Sequence, residues 1–176
     1  MKKYLLITLV LFLGANSFAQ TDNSDVFSKM RTPTSGNSVY YYDKSSPNTT
    51  YTKAFFIYAV KPTNSKPYLM VRFQYSGSSP IGVYAYNVMS DKHSSFNITP
   101  PTGMITKLSD NNYDDFRSYC DLQVGDKFLN VLREIVSAEN PKLEYLGTRD
   151  NLTVKISKNE VEAISNVLDV FDTLNK

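Results

Sequence analysis

Residues 142–176 read KLEYLGTRDNLTVKISKNEVEAISNVLDVFDTLNK, and this stretch decides the fold. Leu143, Tyr145 and Leu146 make a short apolar strand, and Gly147-Thr148-Arg149-Asp150 supplies a turn. Leu152, Val154 and Ile156 then alternate with Thr153 and Lys155, the period of a half-buried strand. Ser157 and Glu160 have the spacing of a capping box, in which each side chain satisfies a backbone donor of the other. Beyond the cap, Val161, Ile164, Val167, Leu168, Phe171 and Leu174 fall on one arc of a helix, with Glu162, Ser165, Asn166, Asp169, Asp172 and Thr173 opposite. A helix with one apolar stripe cannot stand alone in water, so it is expected to lie on a sheet.

Working back towards the N-terminus, Phe128, Leu129, Val131, Leu132, Ile135 and Val136 share one face of a second predicted helix. It opens at Gly125-Asp126 and ends before Asn140-Pro141. The strand before it alternates Phe116, Ser118, Cys120, Leu122 and Val124 with Arg117, Tyr119, Asp121 and Gln123. Cys120 therefore falls on the apolar side and is expected in the core. As the chain's single cysteine it has no internal disulfide partner.

Tyr51–Lys61 is apolar on both faces, which predicts a central strand. Tyr68–Tyr75 turns Leu69, Val71, Phe73 and Tyr75 one way and Arg72 and Gln74 the other. Ile81–Met89 follows, and three strands joined by short Pro/Gly/Ser loops predict an antiparallel meander. Val39–Tyr42, Phe96–Ile98 and Met104–Leu108 are shorter candidates. The sum predicts an α+β fold: a largely antiparallel sheet or sandwich of about six to nine strands, with two amphipathic helices in the last third. A β-barrel closed by the C-terminal helix is the alternative architecture.

The first residues have the pattern of a secretory signal peptide. Lys2 and Lys3 precede an apolar run at Leu5–Leu13, and Ser17-Phe18-Ala19 offers small residues at a cleavage site. The run is too short for a membrane span, which needs about 20 apolar residues. The expected organisation is a signal peptide at 1–19, a flexible N-terminal arm at 20–38 and one globular domain at 39–176. Without Lys2 and Lys3 the basic and acidic residues balance at 17 each. No clustered basic face marks a nucleic-acid partner, and no transmembrane segment is expected in the mature chain.

Catalytic chemistry finds little to hold. His93, the only histidine, sits in a polar loop without a nucleophile elbow or a second histidine. No acid lies within an apolar run that would raise its pKa, so no catalytic residue and no cofactor are assigned. Asp110, Asn112 and Asp114 resemble the first, third and fifth ligands of a calcium loop, with Asp121 at the twelfth. The pattern departs at the sixth position, which is Asp115 where a glycine is wanted, and at the twelfth, where a glutamate is usual. An acidic surface turn is the competing reading.

Thirteen tyrosines and no tryptophan are the compositional outlier. Tyr84 and Tyr86 are expected on one face of one strand, and Tyr40 and Tyr42 are placed to do likewise on another. Tyrosine gives rigid, amphipathic contact area at recognition surfaces, though it also simply favours strands. The expected function is therefore a non-catalytic binding or interaction module, exported to the periplasm or the extracellular space. Tyr84 and Tyr86 would contact a glycan or protein ligand. A hydrolase with a dispersed site and a structural envelope component are the competing classes.

Overall fold

The computed structural model describes residues 23–49, 52–91, 95–109 and 116–176. The signal peptide expected at 1–19, His93, and the calcium-loop residues Asp110, Asn112 and Asp114 lie outside them. In chain order the elements are α1 (Asn23–Ser28), β1 (Met30–Arg31), β2 (Thr34–Ser35), β3 (Ser38–Asp43), β4 (Ala54–Pro62), β5 (Tyr68–Gly77) and β6 (Val83–Met89). There follow β7 (Phe96–Ile98), β8 (Thr106–Ser109), β9 (Phe116–Gln123), α2 (Asp126–Val136), β10 (Lys142–Gly147), β11 (Leu152–Lys155) and α3 (Lys158–Leu174). Among the described residues this is an α+β protein of eleven strands, more than the sequence suggests. The surplus comes from two-residue pieces near the N-terminus.

The strands form two antiparallel sheets. The first runs β1-β3-β4-β5-β9-β8 with β2 beside β3, and the second runs β11-β10-β6-β7. Neither closes on itself, so the barrel is not formed. β4 is central, as its two apolar faces require, and every residue from Ala54 to Val60 is buried. Phe55, Ile57 and Ala59 face the main core together with Leu69, Val71 and Phe73 of β5 and Cys120 of β9. Cys120 is fully buried there, and burial pushes its thiol up to about 11.

One expectation fails at β6. The strand does not extend the β4–β5 pair as a meander. β5 is instead flanked by β9, and β6 pairs with β10 and β7 in the second sheet. The physical reason is the length and composition of the connection. Sheets packed face to face lie about 10 Å apart, and the stretch from Ser78 to Gly82 is long enough to cross that gap. Gly82 takes φ +67 in the crossing, a conformation that favours glycine. The crossing lets Tyr86 and Val88 bury against β5 rather than beside it.

α3 starts at the expected cap. Ser157 N–H donates to Glu160 Oε2 at 2.8 Å, and Glu160 N–H donates to Ser157 Oγ at 3.3 Å. The helix lies across β3 and β4, with α1 and α2 beside it. Its buried stripe is Ala163, Ile164, Val167, Leu168 and Val170. Val170 and Ala163 join it because neighbouring helices cover flanks that a lone amphipathic helix would leave wet. Val161, Phe171 and Leu174 are half-buried at its margins.

Residues 23–38, within the expected N-terminal arm, carry α1, β1 and β2. Met30 is buried opposite Asp43, and the Phe27 and Tyr41 rings meet edge to face at 5.7 Å. Val26, Phe27 and Met30 are too few to give a readable period. They dock because β3 and α3 leave an apolar edge for them.

Candidate ligand face

Alternation along β3, β4 and β5 sends one set of side chains to the core and the other to the opposite side of the first sheet. The outer set is aromatic. Cross-strand register places Tyr42 opposite Tyr58 and Tyr58 opposite Met70, with Tyr40 opposite Val60 and Val60 opposite Tyr68. A further row runs Phe56, Arg72, Asp121 from β4 to β9. Ala54, Phe56, Tyr58 and Val60 are buried, with Tyr40, Tyr42, Tyr68 and Met70 half-buried around them. Every member of this second apolar cluster comes from β3, β4 or β5. No described helix and no strand of the second sheet contributes to it.

The rings are ordered against one another. Tyr42 stacks on Tyr58 at 4.6 Å, and Tyr40 lies 6.4 Å from Tyr42 with the two planes 10° apart. Such pairs add to the stabilisation that area burial provides. Arg31 lies over the Tyr42 ring at 5.6 Å and donates to Ser46 O at 2.8 Å, closing one margin of the face. At one end Gln74 Nε2 donates to the carbonyl oxygens of Thr49 and Thr52, both at 2.8 Å.

A fixed charge pair adjoins the aromatic rows. Arg72 Nε donates to Asp121 Oδ1 at 2.8 Å while its Nη2 donates to Oδ2, a bidentate fork. Tyr58 donates its hydroxyl to the same Oδ1 at 3.2 Å. The Arg72 guanidinium sits 5.0 Å from the Tyr119 ring centroid and 5.9 Å from that of Phe56. Hydrogen bonding to Asp121 holds the Arg72 guanidinium above its ordinary value, against the effect of burial. Burial, reinforced by Asp121, pushes the Tyr58 phenol up as well, so it stays a protonated donor. The arrangement presents ring surfaces beside directional hydrogen-bonding groups.

The sequence-predicted residues fare differently. Tyr86 is 1% exposed and Tyr84 is 50% exposed, so the two do not share a face. The cause is a bulge: Val83 pairs with Gly147 and Ala85 with Leu146, leaving Tyr84 as the extra residue between them. A bulge breaks the period of two on which same-face spacing depends. Tyr40 and Tyr42 do share a face. Asp121 belongs to the ion pair and lies five residues into β9, about 17 Å along the strand from Phe116. Among the described residues no group of three or more His, Cys, Asp or Glu side chains is placed to hold a metal ion. Phe56, Tyr58 and Tyr119, which belong to this candidate face, are not singled out by the sequence reading, although the doubly apolar β4 and the outward Arg72 are signals that point to them.

Comparison with protein-family models, curated proteins and solved structures finds no match for this chain.

Proposed function

We propose that this chain is an exported, non-catalytic binding module and that it recognises an extended glycan on the outer face of its first sheet. The observation that carries the reading is the row of near-parallel tyrosine rings backed by a buried aromatic strand. An aromatic patch on a sheet face is a recognition surface more readily than a catalytic one. Tyr40 and Tyr42 are half-buried and offer a partly exposed ring surface and hydroxyl groups to a sugar, although Tyr58 and Arg31 occupy the faces of the Tyr42 ring. Arg72 on β5 and Tyr119 on β9 extend the platform, about 10 Å and about 14 Å from β3 at the usual strand spacing. A protein ligand would use the same rings but would want a larger apolar patch.

Export rests on the residues of the signal pattern, and none of the described helices is long and apolar enough to cross a membrane. Intact mass of protein recovered from outside the cytoplasm is expected to begin at Gln20. Retention of residues 1–19 in that fraction would contradict export. A glycan array probed with the mature chain is expected to show selective retention of one polysaccharide class. Failure to retain any glycan, alongside capture of a defined protein partner by the same face, would move the reading to protein recognition.

A further inference from the structure

A second concavity lies on the inner side of the first sheet, beside the crossing from β5 to β6. One wall is β5, β8 and β9, and the other is the crossing Pro80–Val83 with the turn Thr148-Arg149. Its volume is about 340 Å³, at the small end of the range for small-molecule sites. Tyr75, Ile81 and Val83 form a buried apolar floor, and Phe116 stands over it 43% exposed.

The polar lining is of one sign. The side chains of Lys107 and Arg149 line the cleft, and among the described residues no acidic side chain does. Asp150, the acid adjacent to Arg149 in sequence, accepts the Asn151 N–H instead. The wall that carries Arg149 is firmly built. Thr148 N–H donates to Gly82 O at 3.0 Å, Arg149 N–H donates to Ile81 O at 3.2 Å, and Tyr75 donates its hydroxyl to Ser79 O at 2.6 Å. A Cβ at Gly147 would run into the backbone oxygens of Ile81 and Asp150, so the turn keeps this shape only with glycine there.

We propose that this cleft binds an anionic amphiphile, seating its apolar body on Tyr75, Ile81, Val83 and Phe116 and its carboxylate or phosphate head against Lys107 and Arg149. An apolar floor alone would take any small hydrophobe. The single-signed rim selects the anionic ones, because a charged head gains from cations in a partly desolvated site. The inference does not depend on the glycan reading, since cleft and aromatic face lie on opposite sides of the first sheet.

The test is calorimetric titration of the mature chain with decanoate and, in parallel, with decanol. Saturable binding of decanoate is expected, with decanol weaker by about tenfold, the loss of one charge-assisted contact. Arg149→Ala and Lys107→Ala, both at exposed positions, should each weaken decanoate by a comparable factor without changing the melting temperature. Vesicles of phosphatidylglycerol and of phosphatidylcholine identify the source of the head group. Retention on the anionic vesicles alone, lost in Arg149→Ala, points to a lipid. Binding of decanoate without vesicle retention points to a free acid. Equal affinity for decanoate and decanol, unchanged affinity in both variants, or no binding of decanoate would overturn the proposal.

Discussion

The Tyr86 ring stacks on the Phe73 ring across the two sheets, with centroids 4.2 Å apart and planes 14° from parallel. Tyr145 meets Tyr86 edge to face at 5.9 Å, and its hydroxyl donates to Gln74 O at 2.8 Å. This aromatic column joins the sheets and explains why Tyr86 serves the core. Truncating it should therefore cost stability. Tyr86→Ala is expected to lose about 3–5 kcal/mol, the range for removing a large buried aromatic. Tyr84→Ala, at the bulge, should stay within about 0.5 kcal/mol of the parent. Denaturant melts of the two variants check this, and equal losses would mean that the bulge has been misplaced.

The terminal helix gives a second expectation. Leu168 is buried between α3 and the first sheet, so Leu168→Ala should cost about 2–5 kcal/mol. Ser157→Ala removes one half of an intact capping box and should cost about 0.5–2 kcal/mol. Equilibrium unfolding measures both, and a neutral Leu168→Ala would show that α3 is not docked.

Asp43 links stability to pH. Burial alone would raise its pKa, but hydrogen bonds from Ser45 and Asn166, together with Lys29, hold the carboxyl below its ordinary 3.8. A folded value below the unfolded one means that the ionised form stabilises the fold. The contribution is complete at pH values well above 3.8 and is lost as the pH falls below 3.8 through the depressed folded value. Because Asn166 Nδ2 donates to Asp43 Oδ2 at 2.9 Å, this charge ties β3 to α3. Asp43→Asn is therefore expected to destabilise the protein at neutral pH, with the gap to the parent closing in acid. Thermal melts across that window check the sign. A gap that widens in acid would contradict it.

Most of the secondary structure was legible because the periodicities are long and clean, as in β5, β9 and α3. The N-terminal pieces were not legible because two-residue strands carry no period, and Met30 is held by its pairing with β3 and by tertiary packing. Sheet membership of β6 was also hidden. A short Pro/Gly/Ser connection reads the same whether it folds a hairpin or crosses to another sheet. The two tyrosine pairs differ in whether their members share a face. Spacing puts residues i and i+2 together only in an unbroken strand, which holds for Tyr40 and Tyr42 and fails at the Tyr84 bulge. The Arg72–Asp121 pair was invisible because its two members lie on strands distant in sequence, and their register is a property of the assembled sheet.

The central claim is that the outer face of the first sheet is a recognition surface and not merely a self-packed sheet. The most direct measurement is glycan binding by a Tyr40→Ala/Tyr42→Ala variant beside the parent, with a thermal melt of each. Both rings are only half-buried, so the variant should stay folded, with its melting temperature lowered by less than about 10 °C. It should lose glycan retention by at least about tenfold, since the ring contact of Tyr40 and the hydroxyl hydrogen bonds of both residues are removed together. A folded variant that binds the same glycan as tightly as the parent would contradict the claim.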